Sequence, residues 1–589
     1  MIRNPCFYIA LASVLVSVQP LVVAQSRNTA FGSSALISNT TGLDNAAFGG
    51  GALGANTSGS SNTAVGQIAM ATNATNSNNT AVGFAAFFNT LGEANTVVGS
   101  DAMSDGTGGD HNTATGYFSL QGGSGNFNAA YGSSVLISNT GAYNTATGYM
   151  ALSSANSGDH NTASGDAALF SNKDGGWNAA HGARALYNNT SGSFNTANGS
   201  SGLFSNKSGT FNTSSGFSTL FSNTIGSYNT AVGSTALFEN ISGSYNTATG
   251  SFALNNNVNG RENTANGYGA LQANTTGIRN TASGYASLQN NTKGIYNTAS
   301  GYGAMRENTT GTRNTASGYG ALQENITGTR NTATGYMSLH KNTTGFFNTA
   351  NGFNALSKNT TGSKNTAIGY TAGNSNVKGT GNVFVGYQAG FKELGNNRLY
   401  ISNNLSTPLL YGQFSPTAAF NKLGIGTTSV PSSDAIKVWN GAHLTKGGVW
   451  SNASSRSLKD NIRPLSANDA IAALVSLEPV RYVYKNSSEE EYVGFISEDV
   501  PDLVASNDRK SLAPMDIVAV LTTVVKNQEQ QLLEQSAGMA ENDAEIAILR
   551  VENAKLAARQ EELIERLNLL AQTLAPATFA HSQRTAVQK

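Results

Sequence analysis

The sequence holds a single cysteine, Cys6, placed ahead of its first apolar run. A chain processed beyond that point has none, which excludes disulfides, thiol catalysis and cysteine metal sites together. Charge is scarce too: 12% of the 589 residues are charged, and 34 basic side chains balance 34 acidic ones. With no net field to draw a polyanion, neither nucleic acid nor an anionic membrane surface is an expected partner. The six histidines are scattered. None sits in a ligand motif, His443 included, so no metal or other cofactor is expected. What fills the gap is Gly, at 66 residues, with abundant Asn, Thr, Ser and Ala. So long a chain with so little charge is not one ordinary globular domain.

The first residues read as an export signal. Arg3 gives the positive start, Phe7 to Val16 the apolar run, and Val22-Val23-Ala24 a cleavage site before Gln25. Pro20 and the shortness of the run disfavour an uncleaved anchor. The expectation is a secreted or cell-surface protein, with residues 1–24 removed and no membrane span left.

From residue 25 to 396 a repeat dominates. Asn anchors of an N-T-A-x-G motif recur twenty-two times, at Asn28, Asn45, Asn62, Asn79, Asn95, Asn112, Asn128, Asn144 and on to Asn382. Eighteen of the twenty-one intervals are 17 residues and three are 16. A fixed period of this kind predicts a solenoid, one coil per repeat. Within the copy from Asn280, alternation with period two predicts a one-sided strand. Asn280, Ala282, Gly284, Ala286 and Leu288 would face inward, and Thr281, Ser283, Tyr285 and Ser287 outward. The remainder of each copy, A-N-T-T-G-I-R at Ala273 to Arg279, carries turn residues. Gly, Asn and Thr are too dense for a helix. Stacking would place Asn over Asn and build an aromatic ladder from Tyr268, Tyr285, Tyr302, Tyr319, Tyr336, Phe353, Tyr370 and Tyr387. Such rows first serve stacking, which is preferred to a ligand-binding lattice, and it explains N-x-T triplets such as Asn39-Thr40-Thr41 better than glycosylation does. At about 4.8 Å per rung the rod would be on the order of 100 Å long. Copies such as K-N-T-A-I-G-Y-T-A-G, Lys364 to Gly373, resemble the head repeats of trimeric autotransporter adhesins. That resemblance implies a parallel β-roll assembled in threes.

Residues 397–451 alternate like short strands and predict a β-rich neck. At Asn452 the sequence changes to N-A-S-S-R-S-L-K-D-N-I. A Ser five residues before a Lys means little by itself, and a solvated turn is its plain reading. The surroundings, however, resemble the intramolecular chaperone auto-processing domain of phage tailspikes and endosialidases, whose pattern begins S-D-x-x-L-K-x-N-I. A second stretch, V-G-F-I-S-E-D-V at Val493 to Val500, matches that family's I-G-F-I-A-Q-E-V. The resemblance covers 452–535. It implies that Ser454 is a nucleophile and Lys459 its base, acting on the Ala453–Ser454 bond; Ser455 stands where the family has Asp.

Within this segment Ser466 with Asp469 opens a helix through Leu477, with Ala470, Leu474 and Leu477 on one face. Pro479 ends it. Val480 to Lys485 and Glu491 to Ile496 read as strands around a turn at Ser487 to Glu490. From Asp516 a long helix carries a heptad frame over 516–575. Its seam has Val518, Val525, Leu532, Met539, Ile546, Leu567 and Leu574 at a, and Leu521, Leu549, Leu556, Leu563 and Leu570 at d. Polar residues (Gln528, Gln535, Asn542, Asn553, Gln560) interrupt the seam, and Gly538 is a candidate break. This predicts a coiled coil that joins chains, followed by a tail at 576–589 without structure.

The expected protein is a mainly β, homotrimeric fibre: solenoid, neck, small α+β chaperone and coiled coil. Its partners would be copies of itself and a host or cell-surface glycan or protein. Two other readings stay open. One is a tailspike-like glycan-degrading enzyme, against which the repeats offer no recurring pair of carboxylates. The other is a monomeric solenoid binding module with an inert helix.

Overall fold

The computed structural model describes residues 27–573 apart from 486. Residues 1–24, expected to be an export signal, together with the tail and Leu574, lie outside the described residues. The chain divides into two compact units between residues 453 and 454.

The first unit is a parallel β-solenoid. Among the described residues, twenty-two three-residue strands stack from Thr29–Phe31 to Val383–Val385. Each pairs in register with the next copy: Thr281 opposite Thr298, Ala282 opposite Ala299, Ser283 opposite Ser300. The strand is shorter than the alternation predicts. Asn280 and Ala282 are buried and Thr281, Ser283 and Tyr285 exposed, as expected, but Ser287 is fully buried rather than outward. The cause is backbone hand. Gly284 turns the chain at φ +126, then Ala286 and Leu288 adopt left-handed φ of 53° and 50°, so Ala286, Ser287 and Leu288 all turn inward. Ser287 Oγ satisfies itself on the Gly284 carbonyl at 3.1 Å. Each left-handed non-glycine residue costs about 1–2 kcal/mol, so the pair costs about 2–4 kcal/mol. Burying the Leu288 side chain returns about 1.5–3 kcal/mol, and the inter-coil bonds from the Ala286 N–H to the Tyr268 carbonyl and from the Leu288 N–H to the Ala304 carbonyl, both 2.9 Å, hold the shape further.

Two columns of buried Asn frame this narrow core. In the anchor column Asn297 donates its backbone N–H (3.0 Å) and its Nδ2 (3.2 Å) to Asn280 Oδ1. In the turn column Asn308 Nδ2 donates to Asn291 Oδ1 at 2.7 Å. Both columns also reach one acceptor, the Gly311 carbonyl, at 2.8 Å from Asn297 and 3.2 Å from Asn308. Several turn-column Asn begin N-x-T triplets, and those buried in this way, such as Asn274 and Asn308, present no amide to a glycosyl donor. The turn column fails over three successive copies, two of them 16 residues long, where Thr90, Gly106 and Gly123 take its places. The buried Asn73 Oδ1 and Asn112 Nδ2 are left there without a partner.

Outside, the expected aromatic ladder runs from Tyr268 to Tyr387 with ring centroids 5.0–5.3 Å apart. A second ladder of exposed rings, His111 to Tyr245, sits one residue before the anchors and is stacked at 4.0–6.2 Å. In that column Arg279 and Arg313 lie over Tyr296, and Arg330 over Phe347.

The neck grows directly from the last coil. Arg398–Ile401 pairs in parallel with Val383–Val385, and the Arg398 N–H takes the Asn382 Oδ1 that an anchor would take. Pairing then turns antiparallel with Leu410–Gln413 and Lys422–Ile425.

The second unit is small and α+β. Helix α1, Ala467–Val475, is capped by Ser466, whose Oγ accepts from the Asp469 N–H at 3.1 Å. A hairpin follows, Val480–Tyr484 with Ser487–Gly494. Its turn is tighter than predicted: residues 487–490 belong to the second strand, whose Ser487 already pairs with Tyr484. Helix α2 runs from Pro514 to Thr573 without a break at Gly538. The core holds Ala470, Ala473, Val500, Val504, Val520 and Val524, with Leu474 and Leu477 packed against it. Among the described residues no helix is long and apolar enough to cross a membrane.

The glycine after each strand has no room for a side chain. A Cβ on Gly301, held at φ +127, would lie 2.5 Å from the Gly318 carbonyl oxygen. On Gly303 it would meet nothing nearer than 3.8 Å, and Ala286 already occupies the equivalent place one coil earlier. Gly301→Ala should therefore destabilise the rod by about 3 kcal/mol or more, and Gly303→Ala, which has room but keeps a left-handed φ of +61°, by about 1–2 kcal/mol. Thermal unfolding followed by circular dichroism checks the ordering.

Candidate functional site

The second unit opens on a tight turn. Ser455 has extended backbone (φ −67°, ψ 140°) and N-caps a one-turn 3-10 helix over Arg456–Leu458; Lys459 caps the other end at φ −132°, ψ 135°. Two backbone bonds close it, Leu458 N–H to the Ser455 carbonyl at 3.0 Å and Lys459 N–H to the Arg456 carbonyl at 3.2 Å. A separation of five residues does not share a helix face, but this turn folds the fifth residue back onto the first. Lys459 Nζ donates to Ser454 Oγ at 2.9 Å.

Both side chains are exposed, as are Asp460, Asn461 and Ile462. An ammonium that donates to a hydroxyl holds it in place. To take the hydroxyl's proton, the same nitrogen would have to be neutral and accept. His443 lies in the neck, half-buried on the strand His443–Thr445, with Nδ1 at 3.1 Å from the Gly441 carbonyl.

The second motif is structural. Val493 and Gly494 end the hairpin, Phe495 packs on the core and Val500 is buried in it. Ser497 is buried and donates to the Arg509 carbonyl at 2.7 Å. Residues 454–508 match the family model described as the chaperone of endosialidase. No curated protein and no solved structure matches the chain. The match to the endosialidase chaperone begins at Ser454, the first residue of the second unit, and takes in both the Ser454–Lys459 turn and the 493–500 stretch.

Two contributors to this chaperone-like module carry no motif. Ser455 shapes the turn through its side chain, for which only the general preference of Ser for N-caps was a signal. Arg509 closes the loop that follows the second motif: its Nη1 donates to the carbonyls of Glu498 at 3.0 Å and Val500 at 3.2 Å, and its Nη2 pairs with Asp502. Nothing in the local sequence marks it. Arg509→Met should loosen residues 497–512 by about 1–3 kcal/mol, because two carbonyls lose a charged donor. Asp502→Asn, at an almost wholly exposed partner, should cost no more than about 1 kcal/mol. Amide hydrogen exchange across 497–512 in the full chain measures both.

Proposed function

We propose that the chain is an exported, trimeric, fibrous surface protein of tailspike type, with a structural or adhesive rod. Its C-terminal unit gathers three copies and then cuts itself away at Ala453–Ser454. The observation that carries this is the 2.9 Å contact between Lys459 and Ser454, placed at the first residues of the chaperone match.

The chemistry balances within the chain. Ser454 Oγ attacks the Ala453 carbonyl carbon, Lys459 as a free amine takes the hydroxyl proton, and the amide C–N bond breaks as the proton passes to the Ser454 nitrogen. The product is an ester between Ala453 and Ser454 Oγ. Water opens it, leaving the Ala453 carboxylate and a fragment beginning at Ser454. Lys459 must lose its contact with bulk water before it can act as a base, so cleavage waits for other copies to cover the turn.

Exposure in the second unit supports assembly. Val475 is 79% exposed, Val493 70%, Met515 56% and Val525 58%, around a core of six buried side chains. Helix α2 has two apolar faces. Ile517, Val520 and Val524 pack on the unit's own core, while Val518, Leu521, Val525, Leu532, Leu549, Leu556 and Leu563 stay exposed on the heptad face. A seam of that length fits the same helix of further copies.

Wild-type chain should appear on a gel as two fragments, one of them residues 454–589, and as a trimer by light scattering. Ser454→Ala should assemble and stay whole. Lys459→Arg, always charged, should cleave at least ~100-fold more slowly. A wild type that stays monomeric and intact would sink the reading.

A further inference from the structure

We infer that Ser455 is a positioning residue for self-cleavage: its hydroxyl caps the turn that delivers Lys459 to Ser454. The inference rests on the self-cleavage reading above. The turn contains three helical residues and two closing backbone bonds, so little else fixes its shape. Ser455 Oγ accepts from the Ser457 N–H at 3.3 Å and lies 2.8 Å from Ser457 Oγ. The cap satisfies a backbone donor that a three-residue turn leaves without an internal partner. Ser454, Ser455 and Lys459 are all exposed, so no packing holds the dyad together in the single chain. Local hydrogen bonds decide how often Nζ and Oγ meet.

This also gives the departure from the family pattern a physical sense. Asp and Ser are both good N-caps, and each can accept from the donor two residues on. Ser455 keeps the cap and omits a carboxylate. A negative charge beside the dyad would favour the ammonium form of Lys459, which is the wrong form for a base. The residue is then suited to holding the turn while leaving the amine easier to neutralise.

The test uses the full chain, unfolded and diluted into refolding buffer, with association followed by light scattering and the 454–589 fragment by gel across a pH series. Ser455→Ala should associate on the wild-type time course and keep the wild-type midpoint of the pH profile, yet cleave about fivefold more slowly at the plateau. Ser455→Asn, a neutral cap, should return the rate to within about twofold of wild type. Cleavage of Ser455→Ala at the wild-type rate, with Ser454→Ala intact beside it, overturns the positioning role and leaves self-cleavage standing. Slow association matching the slow cleavage, or no rescue by Asn, assigns Ser455 to folding and also overturns it. A wild type that assembles but never cleaves overturns both.

Discussion

Most coils of the rod depend on one shared acceptor. The Gly311 carbonyl takes hydrogen bonds from Asn297 and Asn308, one from each buried column, so the two sides of the narrow core are tied at the same oxygen. Unpaired, a buried amide costs about 1–3 kcal/mol. The columns therefore leave little choice of register: sliding one coil by a residue sets Thr over Asn and strands several such groups at once. The same geometry dictates glycine. A Cβ at Gly311 would lie 2.3 Å from Asn308 Oδ1, and one at Gly301 would strike the coil above. The repeat is rich in Asn and Gly because the interior is a hydrogen-bond lattice with a thin apolar filling.

That lattice explains what could and could not be seen in the residues alone. Period and parallel stacking follow from Asn spacing, and the ladder from Tyr268 to Tyr387 follows from register. The inward turn of Ser287 does not. Alternation assumes an extended backbone, and nothing local says that Ala286 and Leu288 will adopt left-handed angles; only the stacked carbonyls and the buried leucine make that conformation worth its cost. The turn column was visible as Asn274, Asn291 and Asn308 at one spacing, but a turn Asn and a buried Asn look alike in sequence. At the C-terminal site the meeting of Ser454 and Lys459 was legible as a requirement, since five residues demand a turn. Which side chain would cap that turn was not, because Ser455, Ser457 and Ser454 are the same residue type within four positions.

The two units differ in how they are held. The rod is satisfied coil by coil, each rung completing its neighbour, so its difficulty is kinetic: long parallel pairing is slow to form and a slipped register is hard to undo. The second unit has the opposite problem. Its six-residue core is small beside the apolar surface it leaves open on α1, on the hairpin and on the heptad face of α2. On the proposed function, a unit so incomplete would gain most from meeting its own copies. As proposed, it brings chains together at high effective concentration, sets which coil faces which, and is then dispensable.

Exposure of the dyad belongs to the same logic. In the single chain Lys459 is exposed and donates to Ser454 Oγ, and a nitrogen that donates in this bond is not placed to take the hydroxyl proton. Under the proposed function, a site already buried in the monomer could cut before the rods were aligned, releasing the very unit proposed to align them. On that reading, leaving the amine in water until other copies cover it would make burial the trigger. The contact proposed to complete the unit's apolar surface would also strip solvent from Lys459, so assembly and cleavage would be ordered by one physical event.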